Sequence, residues 1–249
     1  MLNVTDLGSG PPILWIHGFP LASSIFENQL AIRGARHVMP DLPGFGQSRA
    51  AVGGVTMDDY ARIAIDLLDH RGIDNAYFAG LSMGGYVCFA AMRLAPQRVR
   101  GLILLDTRET ADTADGKKGR YDSIEKVRKE GVTPIIESML PKMLTSAAPQ
   151  EMKDRVREIM TSTSAEGAIA ALGAMAERPD STPLLRRITV PTLILVGEED
   201  TITPPSDAER MAKSIPNARL VRIPGAAHLA NYEKAEEVNR SVAAFVTGR

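Results

Sequence analysis

A single serine lies among glycines in the stretch AGLSMGGY, residues 79–86. The apolar run before it is typical of a buried strand and the run after it of a buried helix, so the G-x-S-x-G pattern predicts a sharp strand–turn–helix connection. Ser82 would occupy the tip of that turn in a strained backbone conformation. Side chains at Gly80 and Gly84 would collide with the opposite arm of the turn, and Gly85 lets the helix approach the sheet. The stretch predicts an exposed hydroxyl nucleophile; a plain small-residue turn is the alternative.

A serine hydroxyl is a weak nucleophile unless a base removes its proton, so a histidine is required. The sequence contains four: His17, His37, His70 and His228. His37 begins a predicted strand and His70 ends a predicted helix, which favours structural or surface roles, and His17 is expected to brace the turn after the first core strand. His228 lies in PGAAHLANYE, a loop of small residues between the last strand and the final helix. We expect His228 to be the general base, with a structural histidine as the alternative.

The base needs a carboxylate that fixes its tautomer and stabilises the imidazolium. The run LILVGEED ends a predicted strand and offers Glu198, Glu199 and Asp200. Asp200 is preferred because the Gly197-x-x-Asp spacing gives the chain two residues in which to turn towards the histidine. Glu198 and Glu199 are then surface charges of the loop. Asp106, at the end of the apolar run GLILLD, is the alternative acid.

Two backbone N–H groups are needed to stabilise the oxyanion that forms when an acyl carbon is attacked. The N–H of Met83, directly after Ser82, is one candidate. The second is the N–H of Phe19, in the turn HGFP that follows the first core strand. The candidate nucleophile, acid and base therefore occur in the chain order Ser82, Asp200, His228.

Composition and charge narrow the classes of function. The 249 residues include 44% hydrophobic and 24% charged residues, with a net charge of −1 and a pI near 6.4, so nothing suggests a general attraction for nucleic acid or acidic lipid. The single cysteine, Cys88, excludes an internal disulfide, and Cys and His show no zinc-ligand spacing. The loop DLPGFGQS, residues 41–48, lacks a helix-opening G-x-G-x-x-G, which argues against a dinucleotide site.

The expected location and partners follow from what the sequence lacks. The N-terminus has neither a basic segment nor a long apolar run, and no apolar run approaches the roughly 20 residues of a membrane span. A cytoplasmic protein with a small-molecule substrate, and with neither a membrane nor a nucleic-acid partner, is expected. The sequence does not define the oligomeric state.

Six short apolar runs predict buried strands, and helical patterns separate them. The runs are nearly continuous rather than alternating, as in a parallel sheet covered on both faces. Thr56 and Asp59 form a capping-box pattern that opens one helix, and the final helix is expected to start near Tyr232. Strands alternating with helices predict an α/β fold with a mostly parallel, doubly wound sheet. The strand runs are ILWIH (13–17), HVMP (37–40), AYFAG (76–80), GLILLD (101–106), PTLILVG (191–197) and ARLVRI (218–223).

Residues 107–187 break this rhythm, because they show helical patterns and no convincing strand. An all-helical insertion between two strands predicts a cap over the sheet, so residues 1–106 and 188–249 are expected to form the core and 107–187 a helical cap. The charged residues around 115–120 are expected to form a solvated loop. The candidate helices are 122–130, 133–145, 149–162 and 165–177, and five of the eleven methionines of the chain lie in this region: Met139, Met143, Met152, Met160 and Met175.

These features together resemble the α/β-hydrolase superfamily over nearly the whole chain. The matching segments are HGFP, DLPGFGQS, GLSMGG, VGEED and GAAHLANYE. Closer likenesses are to small capped bacterial carboxylesterases, through GLSMGGY, LILLDTR and AERPDST (176–182), and to enol-lactonases and acyl-homoserine lactonases. The resemblance implies a helical cap inserted after the sixth strand, Ser82 as nucleophile, His228 as base, Asp200 as its orienting acid, and Phe19 and Met83 as oxyanion donors. It implies no metal and no organic cofactor.

One segment departs from that pattern. Such proteins often begin with a longer antiparallel hairpin, whereas only LNVTDLG precedes the turn at residues 9–12. The outermost edge strand is therefore expected to be short or missing.

The function that the resemblance implies is a serine carboxylesterase acting on small to medium apolar esters through an acyl-enzyme. Methionine side chains adapt to irregular apolar space, so Met139 and Met143 are candidate substrate contacts, with packing between cap helices as the alternative. A lactonase with the same machinery is the main alternative, and a receptor that binds without turnover is a lesser one. Serine at position 82 argues against dehalogenase and epoxide hydrolase chemistry, which use a carboxylate nucleophile in related folds.

Overall fold

The computed structural model describes residues 2–51 and 53–248, and this part of the chain contains one seven-stranded sheet. Each of the six apolar runs forms a strand, and residues 4–8 add one more. The strand order is β1-β3-β2-β4-β5-β6-β7, with β1 antiparallel to β3 and every other neighbour parallel. The strands are β1 (Val4–Gly8), β2 (Pro12–Ile16), β3 (Arg36–Pro40), β4 (Ala76–Leu81), β5 (Val99–Leu105), β6 (Thr192–Gly197) and β7 (Ala218–Ile223).

Helices fill the connections between the parallel strands. The expected α/β-hydrolase architecture is confirmed. Crossover connections join the parallel strands, and these connections carry helices to both faces of the sheet. The helices are α1 (Met57–His70), α2 (Met83–Leu94), α3 (Ala114–Glu130), α4 (Thr133–Met143), α5 (Gln150–Thr161), α6 (Ala165–Ala176), α7 (Thr182–Leu185), α8 (Pro205–Ser214), α9 (Ala230–Glu233) and α10 (Ala235–Thr247), with 3₁₀ segments at Ser23–Ala31 and Pro96–Arg98.

The N-terminal edge differs from the expectation in its strand count. The edge strand β1 is present and pairs over its whole length, from Val4 opposite Pro40 to Gly8 opposite Arg36. Among the described residues, however, five strands precede the helical segment rather than six. Of the two expectations for this edge, a short strand or none, the structure shows a strand of five residues.

Two apolar cores cover the two faces of the sheet. Successive residues of β2 point to opposite faces, so Leu14 and Ile16 pack with α1 and α2, while Ile13 and Trp15 pack against the other layer, which includes α10. All four side chains are fully buried. This two-sided burial explains why the strand sequences are continuously apolar, and it leaves the strand ends as the place where polar side chains can gather.

The residues between β5 and β6 form helices α3 to α7, and we call residues 107–187 the helical insertion. It contacts loops that follow the carboxyl ends of three strands. Thr163 Oγ1 donates to the Pro20 carbonyl (3.2 Å), Ser164 N donates to the Gly44 carbonyl (2.9 Å), and Leu229 N donates to the Met143 carbonyl (3.0 Å). The insertion therefore lies against the edge of the sheet where β2, β3 and β7 end.

The start of α3 corrects one local expectation. The charged residues 115–120 are helical rather than a loop, because the helix begins at Ala114. The Thr113 side chain accepts a hydrogen bond from Gly116 N at 3.1 Å and so caps this end. These residues are nevertheless mostly exposed to solvent.

Within 2–51 and 53–248, every helix is too short or too polar to cross a bilayer.

Candidate active site

The backbone at Ser82 has the strained turn that the glycines predict. Ser82 has φ 51° and ψ −112°, a left-handed conformation that side-chain-bearing residues rarely adopt. A methyl group on Gly80 would lie 2.4 Å from the Gly84 carbonyl, so the two arms of the turn do touch at Gly80. The strain at Ser82 is held by contacts between backbone segments.

Gly84 serves a different contact from the one expected, whereas Gly85 allows the expected close approach of the helix to the sheet. A methyl group on Gly84 would lie 2.0 Å from the Ile16 carbonyl, which belongs to the neighbouring strand β2 and not to the opposite arm of the turn. At Gly85 it would lie 2.3 Å from the Thr107 hydroxyl, beyond the end of β5. The start of α2 is thus packed against the ends of β2 and β5, the two strands that flank β4, and this fixes Ser82 relative to both.

Hydrogen bonds complete the support of the serine turn. Ser82 N donates to the Leu105 carbonyl of β5 (2.9 Å), and the Ser82 carbonyl accepts from Gly85 N (2.9 Å) and from the Thr107 hydroxyl (2.7 Å). The main chain of Ser82 is fully paired, while its side chain is partly exposed.

The turn after β2 lies beside Ser82 because of the strand register. Ile16 pairs with Gly80, so the residues that follow each strand run alongside one another. A methyl group on Gly18 would lie 3.1 Å from Ser82 Cβ, which shows how closely the turn approaches. Phe19 is the next residue, and its oxyanion role, like that of Met83, stays a prediction.

His17 connects this turn to the loop after β3. Its Nδ1 lies 2.9 Å from the Gly18 carbonyl and its Nε2 accepts from Leu42 N at 3.0 Å. These partners require the proton on Nδ1, because a carbonyl only accepts and an N–H only donates. Burial lowers the pKa of His17, although the Gly18 bond and the charge of Asp41 oppose that effect. A neutral, doubly bonded imidazole matches the bracing role expected of it.

Asp200 and His228 are in direct contact. Asp200 Oδ2 lies 2.8 Å from His228 Nδ1 and also accepts from the Thr203 hydroxyl at 2.7 Å. Asp200 Oδ1 accepts from Ile202 N (2.8 Å) and Thr203 N (3.0 Å). Both side chains are almost completely buried. Bonds within its own loop therefore fix the orientation of the carboxylate that contacts the imidazole.

The electrostatics of this pair favour an ionised Asp200. Burial raises the pKa of Asp200, but the charge of His228 and the hydrogen bonds from His228 and Thr203 outweigh it and lower the pKa below its ordinary value. In the neutral form of the imidazole, a carboxylate opposite Nδ1 requires the one ring proton there, so the lone pair is on Nε2. That Nε2 is buried and has no hydrogen-bond partner among the described residues. It is therefore available to accept a proton.

Asp106, the alternative acid, binds backbone groups around the site instead. Its Oδ1 accepts from Gly197 N (2.8 Å) and its Oδ2 from Ala230 N (3.3 Å). Asp106 also has a positive φ of 43° and is fully buried. Burial, followed by the charge of Asp200, raises its pKa well above the ordinary value. Asp106 ties the end of β6 to the segment after His228.

The two methionines proposed as substrate contacts differ in exposure. Met143 is fully buried in the apolar core that contains Ile13 and Trp15, whereas Met139 is partly exposed and packs against both cores. Their role in binding a substrate stays a prediction.

Three residues near the site were not anticipated in these roles: Thr203, Thr107 and Asp106 as a backbone clamp. The Asp200-x-x-Thr203 spacing is a local turn signal that could have indicated the first, because such carboxylates often bond groups two and three residues ahead. The other two bond segments distant in sequence, for which one sequence gives no local signal.

The chain is similar to several known proteins over nearly its whole length. The Alpha/beta hydrolase family matches residues 13–241. An AB hydrolase superfamily protein of Bacillus subtilis is 33% identical over 98% of this chain and 94% of its own length. A thermophilic esterase from Thermogutta terrifontis, solved with malate bound, is 39% identical with a TM-score of 0.97, covering 99% of this chain and 93% of that one. The 3-oxoadipate enol-lactonase 2 of Acinetobacter baylyi is 27% identical over 98% of this chain and 92% of its own length.

A mostly parallel sheet with a strained serine at the end of β4 and a buried Asp–His pair beyond β6 and β7 defines the class of α/β hydrolases. The chain belongs to the alpha/beta hydrolase family. It is an enzyme of that family, with esterases and lactonases among its relatives.

Proposed function

We propose that this protein is a serine carboxylesterase that hydrolyses small to medium apolar carboxylic esters through an acyl-enzyme. The observation that carries the proposal is the buried Asp200–His228 contact of 2.8 Å, which leaves Nε2 able to accept a proton at the strand edge that also holds Ser82. The likeness to the Thermogutta terrifontis esterase supports an ester as the substrate.

The reaction has two acyl transfers. Ser82 Oγ attacks the ester carbonyl carbon while His228 Nε2 takes the hydroxyl proton, and the N–H groups of Phe19 and Met83 stabilise the oxyanion. The ester C–O bond then breaks, and His228 gives the proton to the leaving alcohol. A water molecule repeats the sequence on the acyl-enzyme and releases the carboxylic acid. Asp200 stays ionised and stabilises the imidazolium.

The helical insertion serves in this proposal as a cap that limits the size and polarity of the substrate. Its contacts with the loops after β2, β3 and β7 support this role. Met139 and Met143 are the proposed apolar contacts for the acyl chain. Because methionine adapts its shape, several acyl lengths should be accepted.

A lactonase is the second candidate, since the same groups open a cyclic ester. The similarity to an enol-lactonase over nearly the full length of both chains favours it. In a lactone the leaving alcohol stays attached to the acyl group, so the chemistry at Ser82 is unchanged and substrate shape alone decides.

The test is a panel of p-nitrophenyl esters of graded acyl length and a matching set of lactones, assayed with the wild type and Ser82→Ala. We expect highest kcat/KM on short to medium esters and a loss of several orders of magnitude in Ser82→Ala. Preference for lactones would replace the esterase proposal by the second candidate. Full activity in Ser82→Ala would contradict both.

A further inference from the structure

The residues on either side of His228 are held by groups outside the candidate catalytic residues. Ala227 N, directly before the histidine, donates to Glu233 Oε2 at 2.7 Å. Leu229 N, directly after it, donates to the carbonyl of Met143 at 3.0 Å. Met143 ends α4 in the helical insertion. Both backbone neighbours of the proposed base are therefore fixed, one through Glu233 and one by the insertion itself.

Glu233 also binds the insertion with its other carboxylate oxygen. Its Oε1 accepts from Thr145 N (2.8 Å) and from the Thr145 hydroxyl (2.7 Å), two residues beyond the end of α4. One carboxylate thus spans from the histidine loop, which we define as residues 224–229, to the insertion. All three of its bonds are of the charge-assisted kind, which is stronger than the neutral kind.

We propose that Glu233 is a positioning residue that uses the helical insertion to hold His228 in place for proton transfer. The inference rests on the proposed function, because it assigns His228 the role of base. A ring on a small-residue loop is aimed by the backbone that carries it. A displacement of about 1 Å at such a group lowers the rate by about 100-fold.

The chemistry of the three donors explains why a carboxylate is needed here. Ala227 N, Thr145 N and the Thr145 hydroxyl all donate, and an ionised carboxylate offers acceptors at both oxygens. In Glu233→Gln the amide group must face Ala227 N or Thr145 N, whichever way it turns. One end of the bridge is then opened while the size of the side chain is retained.

A second link between the insertion and the core provides a matched control. Arg155, in α5, donates to Glu27 (2.8 Å), which also accepts from the Tyr232 hydroxyl (2.7 Å). This link joins the insertion to the residue next to Glu233, yet none of its side chains bonds a neighbour of His228. Tyr232 reaches Leu229 only through a main-chain bond (Tyr232 N to the Leu229 carbonyl, 2.8 Å), which Arg155→Gln leaves in place. Arg155→Gln weakens the contact between insertion and core without releasing the histidine loop.

The experiment measures kcat, KM and thermal stability of Glu233→Gln, Thr145→Val and Arg155→Gln with a short p-nitrophenyl ester. We expect kcat to fall about 10- to 100-fold in Glu233→Gln and less in Thr145→Val, with KM within about twofold in both. Arg155→Gln should keep kcat within about twofold. If all three variants keep the wild-type kcat, or if the losses appear in KM alone, the inference is wrong.

Two outcomes of this experiment require a second variant or a second measurement. If Glu233→Gln does not fold, the milder Thr145→Val decides, and an unchanged kcat there overturns the inference. If the wild type hydrolyses none of the esters or lactones, the proposed function fails, and the rate at which a fluorophosphonate labels Ser82 is compared instead. Slower labelling in Glu233→Gln than in Arg155→Gln sustains the positioning role. Equal rates, or no labelling of the wild type, contradict it.

Discussion

Hydrogen bonds from the backbone of its own loop orient the Asp200 carboxylate independently of His228. Oδ1 takes two N–H bonds from residues 202 and 203, so only Oδ2 faces His228. The orientation of an amide substituted at this position is therefore determined: its oxygen must occupy the Oδ1 site, and its NH₂ must face Nδ1.

The replacement Asp200→Asn follows directly from this geometry. The NH₂ group would donate to His228 Nδ1, move the ring proton to Nε2 and remove the acceptor that Ser82 needs. We expect kcat to fall about 10⁴-fold, as for the equivalent change in a known serine protease, with little change in fold. Steady-state kinetics with circular dichroism would measure both. The control is Glu199→Gln, an exposed neighbour, which should keep the wild-type kcat; a kcat in Asp200→Asn close to that control would contradict the assignment.

At this scale the sequence allowed the choice of candidates but not their partners. Asp200 and His228 could be selected because each follows a recognisable strand, and their mutual contact is present. Glu233 could not be selected, and Asp106 appeared only as an alternative acid, because their partners, Thr145 and Gly197, lie about 90 residues away in the chain. Glutamate and aspartate are common in exposed loops, so only the folded structure shows which groups these two residues bind.

The serine turn shows how an element is constrained by its neighbours. Gly84 is packed against a main-chain carbonyl of β2, which cannot move without breaking strand pairing. Gly119, in the exposed first half of α3, has open space around it and an ordinary helical backbone. The same substitution should therefore have opposite effects at these two positions.

We expect Gly84→Ala to lower the free energy of unfolding by about 1–3 kcal/mol or more, as overpacking does. Gly119→Ala should raise it by up to about 1 kcal/mol, because alanine is the better helix former. Urea unfolding of both variants checks the pair. A Gly84→Ala protein as stable as the wild type would show that the start of α2 can move away from β2.

Strands and helices could be predicted from the sequence where the local residue pattern and the burial of its apolar side chains indicate the same structure. The six apolar strands and α1, with its Thr56–Asp59 capping box, satisfy this condition. The start of α3 does not, since Gly116 and Gly119 lower its intrinsic helix propensity. That helix is sustained by the Thr113 cap and by Ile124 and Val127, which pack inwards.

For the whole molecule, buried histidines make stability depend on pH. His37 is buried, with Nδ1 accepting from Trp15 Nε1 (3.1 Å) and Nε2 2.9 Å from the Ile32 carbonyl. Burial lowers its pKa despite the bond to Ile32, so the folded protein keeps the ring neutral while the unfolded chain protonates it below about pH 6.5. The unfolded state then binds more protons, and stability falls as the pH falls.

His37→Gln isolates this contribution, because glutamine can accept from Trp15 and donate to Ile32 but does not titrate. The raised pKa of Asp106 acts in the opposite direction and is present in both proteins, as is the lowered pKa of His17. We expect the free energy of unfolding between pH 6.5 and 5 to fall more steeply in the wild type, by up to about 1.4 kcal/mol per pH unit. Denaturant unfolding at each pH gives both slopes; parallel curves would exclude a buried neutral His37.

At the scale of the whole molecule, the sequence predicted the fold class but not the contacts between distant segments. Alternating strands and helices indicated the parallel sheet, and the strand-free region indicated a helical insertion. How that insertion meets the histidine loop depends on bonds such as Leu229 to Met143, which join segments 86 residues apart. The single N-terminal edge strand likewise became clear only from its pairing with β3.

The most direct measurement of the central claim is the site at which a fluorophosphonate probe reacts, located by mass spectrometry of the digested protein. The proposed mechanism predicts one adduct on Ser82, complete loss of ester hydrolysis in step with labelling, and neither adduct nor hydrolysis in Ser82→Ala. Hydrolysis that persists after Ser82 is fully modified would contradict it.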